Sequence, residues 1–169
     1  MSNTITLRAL LLDFGGVLIL HHNSEQRQRW LNRLEREDRE FGIWLWNTPT
    51  AMAALRGELP ATQFWRSSGA ELGLSPEESM ALAADYFAGD RLNQAAVALV
   101  QRARERNLRV GLLSNAYSDL KPLLASYGVL ELFDDIINSS LVGMTKPDPG
   151  IYHLACSRMG VLPQQALLI

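Results

Sequence analysis

Four short stretches of the chain hold consecutive apolar residues where an exposed strand would alternate apolar with polar. They are residues 7–13 (LRALLLD), 108–115 (LRVGLLSN), 133–140 (FDDIINSS) and 165–169 (QALLI). Short runs of this kind predict strands covered on both faces, as in a parallel sheet. Helical spacing separates most of them. Leu92, Ala95, Ala96, Leu99, Val100 and Ala103 recur at the i, i+3, i+4, i+7 interval of an amphipathic helix. Ile151, Leu154, Ala155 and Met159 do the same behind Pro149, with Asp148 placed to cap that helix. Strands alternating with helices predict an α/β fold built on a doubly wound parallel sheet.

Residues 21–89 break the alternation, and no convincing strand is found in them. The stretch 24–40 (SEQRQRWLNRLEREDRE) predicts one charged helix with Trp30, Leu31 and Leu34 turned inward. Leu59 to Leu72 and Ser75 to Phe87 predict two more, the last opened by a capping box in Ser75-Pro76-Glu77-Glu78. The expected organisation is a core of residues 1–20 and 90–169, with a helical unit, 21–89, inserted between its first strand and the rest. The charge run 33–40 reads as a solvated face.

Composition adds limits rather than a function. The chain has 169 residues, 47% hydrophobic and 20% charged, which suits an ordinary globular protein. A net charge of −2 gives no electrostatic case for nucleic acid or an anionic membrane. No apolar run approaches the ~18 residues of a membrane span, and no secretory leader is evident. The single cysteine, Cys156, has no internal partner and reads as packing. A cytoplasmic setting and a monomer or homodimer are expected.

Candidate chemistry begins in LLLDFGGVL, residues 10–18. A carboxylate is costly to bury unpaired, and two glycines allow a sharp turn and a close backbone approach. In an open parallel sheet, ligands bind beyond the carboxyl ends of the strands. Asp13 ends the first strand, Ser114 and Asn115 end the second, and Lys146 follows the third. Taken alone, each is equally a cap, a turn or a surface residue. Together they suit an anionic substrate: Ser114 and Asn115 donate hydrogen bonds, Lys146 neutralises charge and Asp13 attacks. Trp44, Trp46, Phe64 and Trp65 read as core of the helical unit before pocket wall. His21 and His22 read as a solvated loop before a substrate contact, and His153 is given no role.

DFGGVL, LLSNA and KPDPGIY, in this order and spacing, resemble three motifs of the haloacid dehalogenase-like hydrolase superfamily. RGELPATQFW and the stretch from Gly89 to Asn115 resemble the subgroup with haloacid dehalogenases and the phosphatase domain of epoxide hydrolases. The resemblance covers nearly the whole chain. It implies a Rossmann-like core with an α-helical cap. It implies Asp13 as a nucleophile forming an aspartyl intermediate, with Ser114 and Asn115 binding the transferred group and Lys146 holding both. For the phosphatase members it implies Mg²⁺ on the Asp13 carboxylate and the Gly15 carbonyl, with Gly16 supporting the phosphate-binding turn. A small phosphorylated molecule is the expected substrate.

Two departures qualify that implication. Position 15 commonly carries a second Asp, the general acid and base, in phosphatases of this kind; here it is Gly15. General acid–base help is worth about 10²–10⁴-fold, so slow turnover or another acid is expected. The acidic pair of the family's fourth motif would follow the strand at 165–169, so the C-terminal part of the core is expected to lie beyond this sequence, with activity impaired. A dehalogenase, needing no metal, and a non-catalytic binding protein are the alternative functions.

Overall fold

The computed structural model describes residues 6–169. The first strand, β1 (Ala9–Leu12), is followed by a two-residue strand, β2 (Ile19–Leu20). Helices α1 (Glu25–Arg33), α2 (Asp38–Trp46), α3 (Pro49–Leu55), α4 (Ala61–Glu71) and α5 (Pro76–Tyr86) come next. Strand β3 (Arg91–Leu92) then precedes α6 (Gln94–Glu105), β4 (Arg109–Ser114), α7 (Leu120–Ser126) and β5 (Asp135–Asn138). The chain continues through α8 (Ser139–Val142) and α9 (Pro149–Arg158) to β6 (Ala166–Leu168).

β1, β4, β5 and β6 form one parallel sheet in the order β5-β4-β1-β6, so Asp13 leaves from a central strand. Successive side chains of a strand point to opposite faces. Leu10 and Leu12 of β1, with Val110 and Leu112 of β4, pack beneath α6 and α7. Ala9 and Leu11, with Leu113 and Ile137, pack beneath Ile151, Ala155 and Met159 of the α9 segment. Both faces are therefore covered, which is why these strands read as continuous apolar runs.

Helices α1 to α5 share a third apolar cluster around Phe41, Leu45, Phe64, Trp65, Leu82 and Tyr86. Among the described residues no strand lies between 24 and 87. The capping box opens α5 as expected: the Glu78 amide donates to Ser75 Oγ at 3.1 Å, and the Ser75 amide to Glu78 Oε2 at 2.8 Å. The single helix expected over 24–40 is corrected. The chain leaves α1 at Glu35, whose φ is +52°, and the Arg36 amide donates to the Leu31 carbonyl at 2.9 Å. That left-handed stop folds α2 back, so that Phe41 and Leu45 join Leu31 in one cluster. Among the described residues no helix is long and apolar enough to cross a membrane. Cys156 is buried, and burial pushes its thiol up, as expected of a packing residue.

Two close approaches tie the helices to the sheet. β2 and β3 form an antiparallel ribbon, Ile19 opposite Leu92 and Leu20 opposite Arg91. Just beyond it, a Cβ on Gly89 would lie 1.8 Å from the His22 carbonyl oxygen. Gly57, after α3, has φ +75°, and a Cβ there would lie 2.0 Å from the Ser140 carbonyl oxygen of α8. Gly57→Ala is therefore expected to cost about 1–3 kcal/mol, read as a lowered thermal midpoint. An unchanged midpoint would mean that this contact is not made in solution.

Candidate active site

Asp13 is held at the head of β1 by the sheet itself: its amide donates to the Ile169 carbonyl at 2.8 Å. The chain then closes a small loop. Gly16 takes φ +78°, where a side chain would be strained. Its amide donates to the Ile19 carbonyl at 2.8 Å, and the Ile19 amide donates back to Phe14 at 2.9 Å. Gly16 thus makes the turn, with its own N–H already engaged. The Gly15 amide and carbonyl take no part in these bonds.

The Asp13 carboxylate has two partners among the described residues. Oδ1 accepts the Phe14 amide at 2.7 Å, and Oδ2 lies 2.6 Å from Lys146 Nζ. Lys146 is brought there by Asn115. Asn115 Oδ1 accepts the Lys146 amide at 2.7 Å, and Nδ2 donates to the Lys146 carbonyl at 2.9 Å. Asn115 therefore acts first on the main chain of Lys146, where the sequence pointed to a direct contact with the transferred group. Ser114 closes β4 with its side chain buried. Asn138 and Ser139, which sequence reasoning passed over, fasten the loop after β4. Asn138 Nδ2 donates to the Tyr117 carbonyl at 2.6 Å, and Ser139 Oγ accepts the Ala116 amide at 3.0 Å.

Asn115→Ala is expected to lower kcat about 10²-fold, as displacement of a catalytic group by ~1 Å does, with a smaller change in KM. Steady-state kinetics on the folded variant check this, and an unchanged kcat would show that Lys146 is placed without Asn115.

Beside the Asp13–Lys146 pair lies a cleft of about 520 Å³. Phe14, Gly15, Ser114 and Asn115 line it from the sheet; Trp46, Trp65, Met80 and Phe87 line it from the helices. Phe64 and Trp65 are buried in the helical core as expected, and Trp46 and Trp65 also wall the cleft. The Tyr117 hydroxyl is buried without a partner among the described residues, and burial pushes it well above the usual tyrosine value. A second hollow of about 540 Å³ lies at the opposite end of the strands, and none of the candidate residues lines it.

His21 sits in an exposed loop, as expected, with its side chain 43% accessible, but it is held there. Its Nδ1 lies 2.8 Å from Oδ1 of the buried Asp90, and its ring lines the cleft. The two residues are 69 positions apart. One signal could have paired them: they stand where the inserted segment enters and leaves, and such ends must meet. His22 and His153 are exposed.

No group of three or more His, Cys, Asp or Glu converges among the described residues. The Asp13 carboxylate and the Gly15 carbonyl, which accepts no main-chain bond within the loop, are the oxygen donors that the resemblance implies. Two protein donors fit Mg²⁺, which keeps several waters and takes further ligands from a substrate phosphate.

The family model of the haloacid dehalogenase-like hydrolases matches residues 7–169. The chain belongs to the haloacid dehalogenase-like hydrolases. Relatives within that family are named as phosphatases. The phosphoserine phosphatase of Thermus thermophilus is 33% identical over 134 residues, covering 75% of this chain; the chain spans 53% of that protein. Phosphatase MT3486 of Mycobacterium tuberculosis is 29% identical over 164 residues, covering 93% of this chain and 75% of the relative. In three dimensions the chain resembles a haloacid dehalogenase family enzyme from Bacteroides thetaiotaomicron, solved with magnesium and inorganic phosphate. The TM-score is 0.74 at 18% identity, covering 96% of this chain and 83% of the other.

Proposed function

We propose that the protein is a Mg²⁺-dependent phosphatase of small phosphorylated molecules, with Asp13 as its nucleophile. The observation that carries this is the 2.6 Å contact between Asp13 Oδ2 and Lys146 Nζ at the head of the central strand. Asp13 attacks phosphorus and the alcohol leaves. The aspartyl phosphate is then cleaved by water. Lys146 offsets the charge of the phosphoryl group and keeps Asp13 in line with it. The Ser114 hydroxyl and the Gly15 amide bind phosphoryl oxygens, on the turn that Gly16 permits. The Asp13 carboxylate and the Gly15 carbonyl would hold Mg²⁺, which would supply the charge that lets a carboxylate approach a phosphate. Residues 21–89 act as a cap whose aromatic wall contacts the rest of the substrate. The phosphatase names of the relatives support this choice over halide displacement.

The test is phosphate release from a panel of phosphorylated amino acids and sugars, with Mg²⁺ and with EDTA, beside halide release from 2-haloacids. Phosphate release that EDTA removes is expected. Halide release indifferent to EDTA would overturn the assignment.

A further inference from the structure

Displacement at phosphorus by Asp13 leaves two proton movements without a carrier. The departing alcohol oxygen needs a proton, and the water that later cleaves the aspartyl phosphate must lose one. Asp13 and Lys146 are engaged with each other. The remaining titratable side chains that line the cleft are His21, Asp90, Tyr117, Asp119 and Tyr127. Asp90 is buried against His21. Burial holds the hydroxyls of Tyr117 and Tyr127 above their usual range. Asp119 is exposed at the start of α7.

His21 is exposed too, but unlike Asp119, whose side chain makes no bond to the helix it precedes, it is held in place. A Cβ built on Gly15 would lie 3.3 Å from His21 Nε2. The imidazole tip therefore fills the space beside residue 15, two residues along from Asp13. Its other nitrogen is fixed by the Asp90 contact at 2.8 Å. An ionised carboxylate only accepts, so that bond puts a hydrogen on Nδ1 and leaves Nε2 to gain and lose the mobile proton. The β2–β3 ribbon enforces the pairing: Leu20 opposite Arg91 brings position 21 against position 90. The close approach of Gly89 to the His22 carbonyl leaves this junction little slack.

We infer that His21, oriented by Asp90, is the general acid and base of the phosphatase reaction, which rests on Asp13 being its nucleophile. In the first step an Asp13 oxygen bonds to phosphorus as the ester P–O bond breaks. The His21 imidazolium gives its Nε2 proton to the departing oxygen. In the second step a water oxygen bonds to phosphorus as the P–O bond to Asp13 breaks. Neutral His21 takes the water proton at Nε2. Inorganic phosphate leaves, and the carboxylate and imidazolium are restored. Asp90 is a positioning residue that keeps its hydrogen bond to Nδ1 throughout.

The experiment compares the full chain with His21→Ala, His21→Gln, Asp90→Asn, Asp119→Asn and Asp13→Asn on two esters. One is an alkyl phosphate, whose alcohol needs a proton to leave. The other is p-nitrophenyl phosphate, whose phenolate leaves without one. His21→Ala is expected to lose about 10²–10⁴-fold on the alkyl ester. On p-nitrophenyl phosphate it is expected to release one equivalent of nitrophenolate per enzyme at nearly the unaltered rate. Turnover should then be slow, because the aspartyl phosphate waits for a base. Imidazole in the buffer should restore part of the loss, and Asp90→Asn should show a weaker form of the same pattern. Equal losses on both esters with no burst, unaltered rates, or the selective loss appearing in Asp119→Asn would each overturn the assignment. If His21→Ala does not fold, His21→Gln carries the same comparison. Activity retained by Asp13→Asn would instead remove the nucleophile, and with it the reaction His21 is assigned to serve.

Discussion

Replacing Asp13 by Asn is expected to lower phosphate release by at least about 10⁴-fold, as loss of a catalytic nucleophile does. The substitution is nearly isosteric, so the cause would be chemical. An amide oxygen still accepts the Phe14 amide that Asp13 Oδ1 holds at 2.7 Å. The amide NH₂, however, replaces the oxygen that faces Lys146 Nζ at 2.6 Å, setting a donor against a donor. Lys146 must then turn away, at a cost of about 1 kcal/mol, or roughly 2–4 °C in thermal midpoint for a chain of this size. Circular dichroism should show an intact fold while single-turnover assays show no burst. More than about a hundredth of the original rate would mean that another group attacks phosphorus.

Lys146→Met is expected to lower the rate of the first step about 10²–10³-fold, the usual effect of removing one fixed electrostatic partner. Methionine keeps much of the aliphatic stem and removes the charge. Asp13 is then left as an anion beside an anionic phosphate, without the ammonium between them. Unlike Asp13→Asn, this variant still forms the aspartyl intermediate, slowly, so a stoichiometric release of nitrophenolate should remain. A first step within tenfold of the original would show that Lys146 is a structural counter-ion only.

Much of the fold was legible because burial on two faces leaves a plain mark. β1 and β4 read as apolar runs since both sides of the sheet are covered, and Asp13 and Ser114 stand out as polar groups at their strands' carboxyl ends, with Lys146 following β5 beyond α8. The break at Glu35 left no such mark. A left-handed stop there needs no glycine, and tertiary packing of Phe41 and Leu45 on Leu31 decides it. The two-residue strands β2 and β3 are too short to carry a period. Asn115 was recognised but given a different task, because a side-chain amide near an anion site reads as a donor to the anion. That both its ends reach the main chain of Lys146 depends on a contact 31 residues away. The His21–Asp90 pair was hidden for the same reason: each partner alone is an ordinary loop residue.

Leu20 and Arg91 face one another across the small ribbon, the spacing at which a hairpin ordinarily turns back within a few residues. In topological terms residues 21–90 are a hairpin loop enlarged until it holds a core of its own. Closing a longer loop costs only slowly more, so its interior is free to lengthen, shorten or be exchanged over generations while β1 and β4 keep their register. Asp13, Ser114 and Lys146 stand outside that loop, and would feel such changes only where the interior touches the core, as Gly57 does at Ser140. His21 and Asp90 stand at the loop's root. A variant with an exchanged interior would keep the His21–Asp90 pair at its root; one altered at the root would lose that pairing.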